Sequence, residues 1–184
     1  MLSHPLAVAR LALLVPLIWL LTEGGRFHYW AGLVVFLICG LGSLIEGYLP
    51  RKTPPTRAGA MLDAMAERLL TVVVVAGLIA SGMRSGLVLV ASLILIARDV
   101  VVASINEALP QQQLDIRVAG LEKGRIAFQI LGFGFLIAPA FPLPDTMMSS
   151  RILGGLALIV AGVLALITLV GYGRRAAQAF KSQA

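Results

Sequence analysis

Six apolar runs separated by short polar stretches constrain this chain more than any other feature. They lie at 6–21, 29–45, 69–82, 86–105, 126–141 and 152–170 of 184 residues. A bilayer is crossed by a helix of about 20 apolar residues. Within lipid only helices and closed barrels satisfy every backbone group. Several runs are nearer 16 residues, so some must gain length from polar flanks. The third gains it from a start near Gly59, with its acids at the membrane surface or in a cavity. The chain is 59% hydrophobic with a mean hydropathy of +0.93, too apolar for a soluble domain of this size. We therefore expect an all-α integral membrane protein, a six-helix bundle forming one transmembrane domain over 1–184. Its spans are expected near 6–21, 29–45, 60–82, 86–105, 124–141 and 152–172. Arg10 interrupts the first run and no small-x-small site follows before Glu23, so this run reads as a retained span, not a signal peptide. The single Cys39 permits no internal disulfide.

Lys and Arg set the expected orientation. Arg10, Arg51, Lys52, Arg57, Arg68, Arg117, Lys123, Arg125, Arg174, Arg175 and Lys181 fall on one side, and Arg26, Arg84 and Arg151 on the other, a split of eleven to three. Arg98 is left inside the fourth run. Both termini are expected in the cytoplasm, at a bacterial inner membrane. Tyr29-Trp30 reads as an interfacial anchor after the opposite loop, 22–28.

Acidic groups between such apolar segments are costly and need a reason. Ser43 and Glu46 are three apart, and Asp63 and Glu67 four apart. Each spacing puts a pair on one helix face. If the loop between them folds the two helices side by side, these oxygen-bearing side chains converge at the cytoplasmic end. Hard oxygen ligands suit Mg²⁺ or Mn²⁺. The plainer reading is a set of solvated or Arg-paired acids at helix ends.

The same stretch resembles the signature of the CDP-alcohol phosphatidyltransferases, Asp-x-x-Asp-Gly-x-x-Ala-Arg, a loop, then Gly-x-x-x-Asp-x-x-x-Asp. Glu46, Gly47, Arg51, Gly59, Asp63 and Glu67 fall on it in order. Ser43 stands in place of the first Asp, Glu46 of the second, Pro50 of the Ala and Glu67 of the last Asp. Arg10 and Pro16 match the opening of the family's first span, where His4 and Ala7 replace Asn and Thr.

The resemblance implies a phosphatidyltransferase of phospholipid synthesis. Such an enzyme moves a phosphatidyl group from CDP-diacylglycerol to a small alcohol and releases CMP. It implies metal ligands at Glu46, Asp63 and Glu67, with Ser43 at the position of a missing fourth, and Mg²⁺ or Mn²⁺ as the ion. Glu67 would also be the base that takes the hydroxyl proton. Substrate contacts are implied at Gly47, Arg51, Gly59, Arg98 and Lys123. The family often has Arg-Glu or Arg-Asp where this chain has Arg98-Asp99; a structural ion pair and a site role both fit it. Lys123 and Gln129 fall on the family's Gly-Lys-x-x-Thr-x-x-Gln, a patch that in the family contacts the acceptor's phosphate, while Glu122 and Ile126 replace its Gly and Thr.

The stretch 174–184 reads as a short basic tail at the lipid surface. In the last run, Ala157, Ala161 and Ala165 recur every four residues. Small residues on one face allow close helix approach, either within the bundle or at a homodimer seam of the kind the family often forms. Two functional readings follow. One is a divergent transferase, supported by three retained acids. The other is a catalytically degenerate relative that binds lipid or a partner membrane protein, supported by the losses at Ser43, Ala7, Ile126, Asn106 and Pro50. No nucleic-acid role is expected.

Overall fold

The computed structural model of the chain describes residues 3–48, 57–82, 85–108, 119–138 and 144–183. Among these there are six helices and no strand: α1 (Ser3–Glu23), α2 (Arg26–Tyr48), α3 (Arg57–Ala80), α4 (Gly86–Ala108), α5 (Ala119–Ile137) and α6 (Pro144–Gln183). The α1–α2 connection is tighter than expected. Gly24 and Gly25 turn it alone, with φ of 71° and 91°, a left-handed region that side chains with a Cβ rarely enter. The Tyr29 amide then donates to the Gly25 carbonyl at 3.1 Å to open α2.

The six helices close a ring. α1 packs on α2, α2 on α5, α5 on α6, α6 on α4, α4 on α3, and α3 back on α1. α3 also touches α2 and α5 across the interior. Leu17 and Leu21 of α1, Phe36 of α2, Val74 of α3, Leu95 of α4, Phe133 of α5 and Leu158 of α6 fill the centre and are almost fully buried. Phe36 and Phe133 meet edge to face at 6.4 Å, a geometry that the ring quadrupoles favour.

Large apolar side chains also stand on the outside of every helix, among them Val15, Ile38, Met61, Leu93, Leu131 and Leu166. A chain with an exterior as apolar as its core cannot rely on hydrophobic burial to hold its helices together in lipid. Close packing must supply the difference. At the α5–α6 seam a Cβ on Gly154 would lie 2.9 Å from the Gly132 carbonyl oxygen, so only glycine allows that approach. Ala161 and Ala165 are fully buried, and Gly162 packs on Ala91 of α4. The small-residue stripe is thus consumed within the bundle and is not left open as a dimer seam.

Two stretches, Gly86–Ile105 and Ser150–Gln178, are long and apolar enough to cross a membrane, and Arg26–Gly42 is a shorter apolar helix. α3 and α5 carry Asp63, Glu67, Arg68, Glu122, Lys123 and Arg125 in their early turns, which lowers their hydropathy. The expected basic tail is part of a helix: α6 continues through Gln183, 40 residues in all. At about 1.5 Å per residue it exceeds a hydrocarbon core of ~30 Å.

Candidate active site at one end of the bundle

The alternating course of the chain gathers the N-terminal parts of α1, α3 and α5 with the C-terminal parts of α2, α4 and α6. Every buried polar or charged residue among the described ones except Ser92 lies at this end: Arg10, Thr71, Arg98, Asp99, Arg125, Gln129 and Thr168. Ionisable groups at such depth must be paired, and here they form two connected groups.

The first joins α1, α2 and α3. The buried Arg10 guanidinium lies 3.7 Å from the Asp63 carboxylate through its Nη1. It also lies against the α2 backbone: a Cβ on Gly42 would sit 2.7 Å from Arg10 Nη2. Arg10 therefore ties the helix that carries Asp63 to the turn of α2 just before Ser43.

The second centres on Arg125, only 2% exposed. Its Nε and Nη2 donate to Glu122 Oε1 at 2.9 and 2.6 Å, and its Nη1 donates to Gln129 Oε1 at 2.7 Å. Asp99 and Glu67 stand 3.7 and 3.9 Å from the same Nη2. Arg98 closes the group from α4. Its Nη1 donates to Asp99 at 3.0 Å and its Nη2 to Glu122 Oε2 at 2.6 Å, and its guanidinium lies 5.5 Å from the ring centre of Tyr172 on α6. Glu122 thus bridges two arginines, one through each oxygen. These charge-assisted contacts are strong and directional.

A neutral chain extends the group into the core. Gln129 Nε2 donates to Thr71 Oγ1 at 2.7 Å, and the Thr71 hydroxyl donates to the Glu67 carbonyl at 3.3 Å. A small cleft opens there between α2, α3 and α5. Glu67, Thr71 and Gln129 form its polar end, and Phe36, Leu70, Ile130 and Phe133 its apolar wall.

The residues named from sequence fall as follows. Asp63 and Glu67 are both partly buried on α3, and each faces its own arginine, Arg10 and Arg125. Ser43, Glu46 and Gly47 belong to the last turns of α2, and Gly59 to the first turn of α3. The side chains of Ser43 and Glu46 lie outside the described residues, and so does Arg51. Arg98 is buried and paired, while Lys123 is exposed. Among the described residues no three His, Cys, Asp or Glu side chains group closely enough to hold a metal ion. The donors that are described, Asp63 and Glu67, are hard oxygens of the kind Mg²⁺ and Mn²⁺ accept. Completing a site with them would fall to Glu46.

Arg125 requires a correction. Sequence alone counts it among the Lys and Arg that set the orientation. Helix α5 already begins at Ala119, which turns Arg125 inward against three carboxylates. Arg10 likewise serves Asp63 rather than the membrane surface. Without these two arginines the Lys/Arg split is nine to three. Sequence reasoning also missed Glu122 and Thr71 as parts of the site, and the partners of Gln129. One signal was available: Glu122, Arg125 and Gln129 follow i, i+3, i+7 spacing, one face of a helix.

The CDP-alcohol phosphatidyltransferase family model matches residues 1–170. Two bacterial proteins, each named CDP-diacylglycerol–glycerol-3-phosphate 3-phosphatidyltransferase, resemble the chain. The one from Haemophilus influenzae is 27% identical over 107 residues, 56% of this chain and 57% of its own length. The one from Rickettsia bellii is 24% identical over 172 residues, 93% of this chain and 92% of its own. The chain thus spans little more than half of the first relative and nearly all of the second. No solved structure gives a significant match. The family match covers nearly the whole chain, including the Asp63–Glu67 helix and its arginine partners, and this chain belongs to the CDP-alcohol phosphatidyltransferase family.

Proposed function

We propose that the chain is a membrane phosphatidyltransferase that moves a phosphatidyl group from CDP-diacylglycerol to a small alcohol. The observation that carries this reading is the placement of Asp63 and Glu67. They stand four apart on one helix, at the one end of the bundle where buried charge collects, inside a match to a family of such enzymes. The acceptor oxygen attacks the phosphorus that bears the diacylglycerol. The bond from that phosphorus to the CMP oxygen breaks, and Glu67 takes the hydroxyl proton. Glu46, Asp63 and Glu67 would hold Mg²⁺ or Mn²⁺, which supplies charge neutralisation at the pyrophosphate. Arg51 and Lys123 bind substrate phosphates, Arg51 by forked contact. Gly47 and Gly59 let backbone and substrate come close. Arg98, behind Glu122 and Asp99, holds those carboxylates in place. Arg10 and Arg125 fix the two α3 acids in space, the kind of preorganisation on which such catalysis depends.

The second reading, a degenerate relative that binds lipid or another membrane protein, draws on Ser43 in place of an acid. Purified protein in lipid with CDP-diacylglycerol, Mg²⁺ or Mn²⁺ and a panel of alcohols separates the two. The transferase releases CMP with at least one alcohol and loses that release in Asp63→Asn. Absence of CMP with every alcohol sinks it.

The chain is further proposed to be one transmembrane domain of six spans, with both termini and the site on the cytoplasmic side of a bacterial inner membrane. The nine-to-three Lys/Arg split supports this side. In a Cys39→Ser background, single cysteines at Ser3 and Ser182 should be labelled from the cytoplasm and one at Ser85 from outside. The reverse pattern rejects the orientation.

A further inference from the structure

We infer that Tyr172 of α6 is a positioning residue: it holds Arg98, and through Arg98 the charge group beside Glu67, in the arrangement the reaction needs. The inference rests on the transferase reading and adds a residue to it. The family match ends at residue 170, so Tyr172 belongs to a stretch of α6 outside that match. This stretch nevertheless continues the buried face of the helix. Ala165, Thr168, Tyr172 and Ala176 follow one another by three or four residues, the spacing of one helix face. Ala165, Thr168 and Ala176 are buried, and Ala176 packs on Ile105 of α4. Tyr172 therefore stands on the α4 side, where its ring meets Arg98.

Arg98 needs that ring. It is 5% exposed and lies within the apolar stretch Gly86–Ile105, where a charge must find partners inside the protein. Its Nη1 and Nη2 donate to Asp99 and Glu122, but its buried Nε has no hydrogen-bond partner. The face of Tyr172 supplies a further contact, with the ring centre 5.5 Å from the guanidinium carbon. A ring face at that distance attracts a cation, and more strongly away from water. Neither Gly171 nor Gly173 has a neighbour within 4 Å of where a Cβ would stand. This part of α6 is thus held by side chains such as Tyr172, and not by the close backbone approach seen at Gly154. The effect reaches the site through contiguous contacts. Glu122 accepts from Arg98 through Oε2 and from Arg125 through Oε1, and Arg125 Nη2 lies 3.9 Å from the Glu67 carboxylate. Without the ring, Arg98 is free to shift towards the vacated side and to draw Glu122 and Arg125 with it. Glu67 then moves relative to Asp63, which Arg10 holds separately. Because Tyr172 acts from behind this group, its loss should lower kcat and leave KM for the alcohol unchanged.

The test uses the full chain in lipid, with CDP-diacylglycerol, Mg²⁺ or Mn²⁺ and an alcohol that yields CMP. Position 172 is varied in ring charge at nearly constant size. Tyr172→Phe comes first, then difluoro- and trifluorophenylalanine at the same position, whose fluorines withdraw the electron density that attracts a cation. Tyr172→Phe keeps the ring face and should retain wild-type kcat. Each fluorination step should lower kcat further, and Tyr172→Leu, which has no ring, should lose about tenfold or more, with KM unchanged throughout. Fluorinated rings that work as well as phenylalanine would mean packing alone and overturn the inference. Full activity in Tyr172→Leu overturns it too, as does a loss in Tyr172→Phe as large as in Tyr172→Leu, or a rise in KM with kcat unchanged. Unfolding temperature in lipid follows the same contact without turnover: it should fall along the fluorinated series, and a flat series overturns the Tyr172–Arg98 pairing. If wild type yields no CMP with any alcohol, the transferase reading fails, while the unfolding series still decides that pairing. If Tyr172→Leu does not fold, the phenylalanine and fluorinated variants decide alone.

Discussion

The Arg10 guanidinium lies 3.7 Å from the Asp63 carboxylate and fills the space a Cβ on Gly42 would take. The contact fixes three helices at once, because α1 supplies the cation, α3 the anion and α2 the platform. A charge on the first helix and a missing side chain on the second together set the position of an acid on the third.

Gly42→Ala tests this arrangement. Alanine favours the helix by about 0.8–1 kcal/mol over glycine, yet its Cβ would stand 2.7 Å from Arg10 Nη2. Arg10 is long and can swing aside, so the fold survives and Asp63 loses the Arg10 contact. A misplacement of about 1 Å at a catalytic group costs on the order of 100-fold in rate. CMP release should fall by roughly 10- to 100-fold, with little change in thermal stability. Unchanged activity in Gly42→Ala would show that the Arg10–Asp63 contact does not position the site.

Gln129 makes a second, different prediction. It accepts from Arg125 and donates to Thr71, joining α5 to α3. Gln129→Leu leaves one guanidinium nitrogen and one hydroxyl without that partner in a buried place. Interhelical hydrogen bonds in membranes are worth about 1–2 kcal/mol at the upper end, so the variant should unfold at lower temperature or lower denaturant by that measure. Thr71→Val removes only the neutral half of the link and should cost less. Equal stability of Gln129→Leu and wild type in lipid unfolding experiments would count against the link.

The all-helical class was legible because its signal is local: the length of an apolar run. The Asp63–Glu67 pair was legible for a related reason, since a spacing of four is an intrinsic property of one helix. What could not be read is the pairing between helices. Glu122 looks like a charge at the edge of a loop until Arg98, 24 residues away, is brought beside it. Gln129 looks like a polar interruption until Thr71, 58 residues away, faces it. Arg125 was counted as an orienting charge because its partners are remote in sequence: in the fold its carboxylate partners come from three helices, α3, α4 and its own α5.

Ser43 provides the last prediction. It follows Gly42 on α2, where the family signature has an acid. With a serine there the proposed metal ligands are Glu46, Asp63 and Glu67, three carboxylates, and divalent binding rises with ligand charge. Arg10 and Arg125 each already face one of these acids, which further weakens their pull on a cation. Ser43→Asp should therefore bind Mg²⁺ or Mn²⁺ on the order of tenfold more tightly, about 1.4 kcal/mol, and release CMP faster. Without a divalent ion the added acid should lower thermal stability, through repulsion and desolvation. The two effects have opposite signs, so stability measured with and without metal reads the site directly. A rise on adding metal that exceeds the rise in wild type supports a metal site built around Glu46, Asp63 and Glu67. A loss of stability that neither ion restores, together with no gain in CMP release, would leave the degenerate, non-catalytic reading as the better account of this chain.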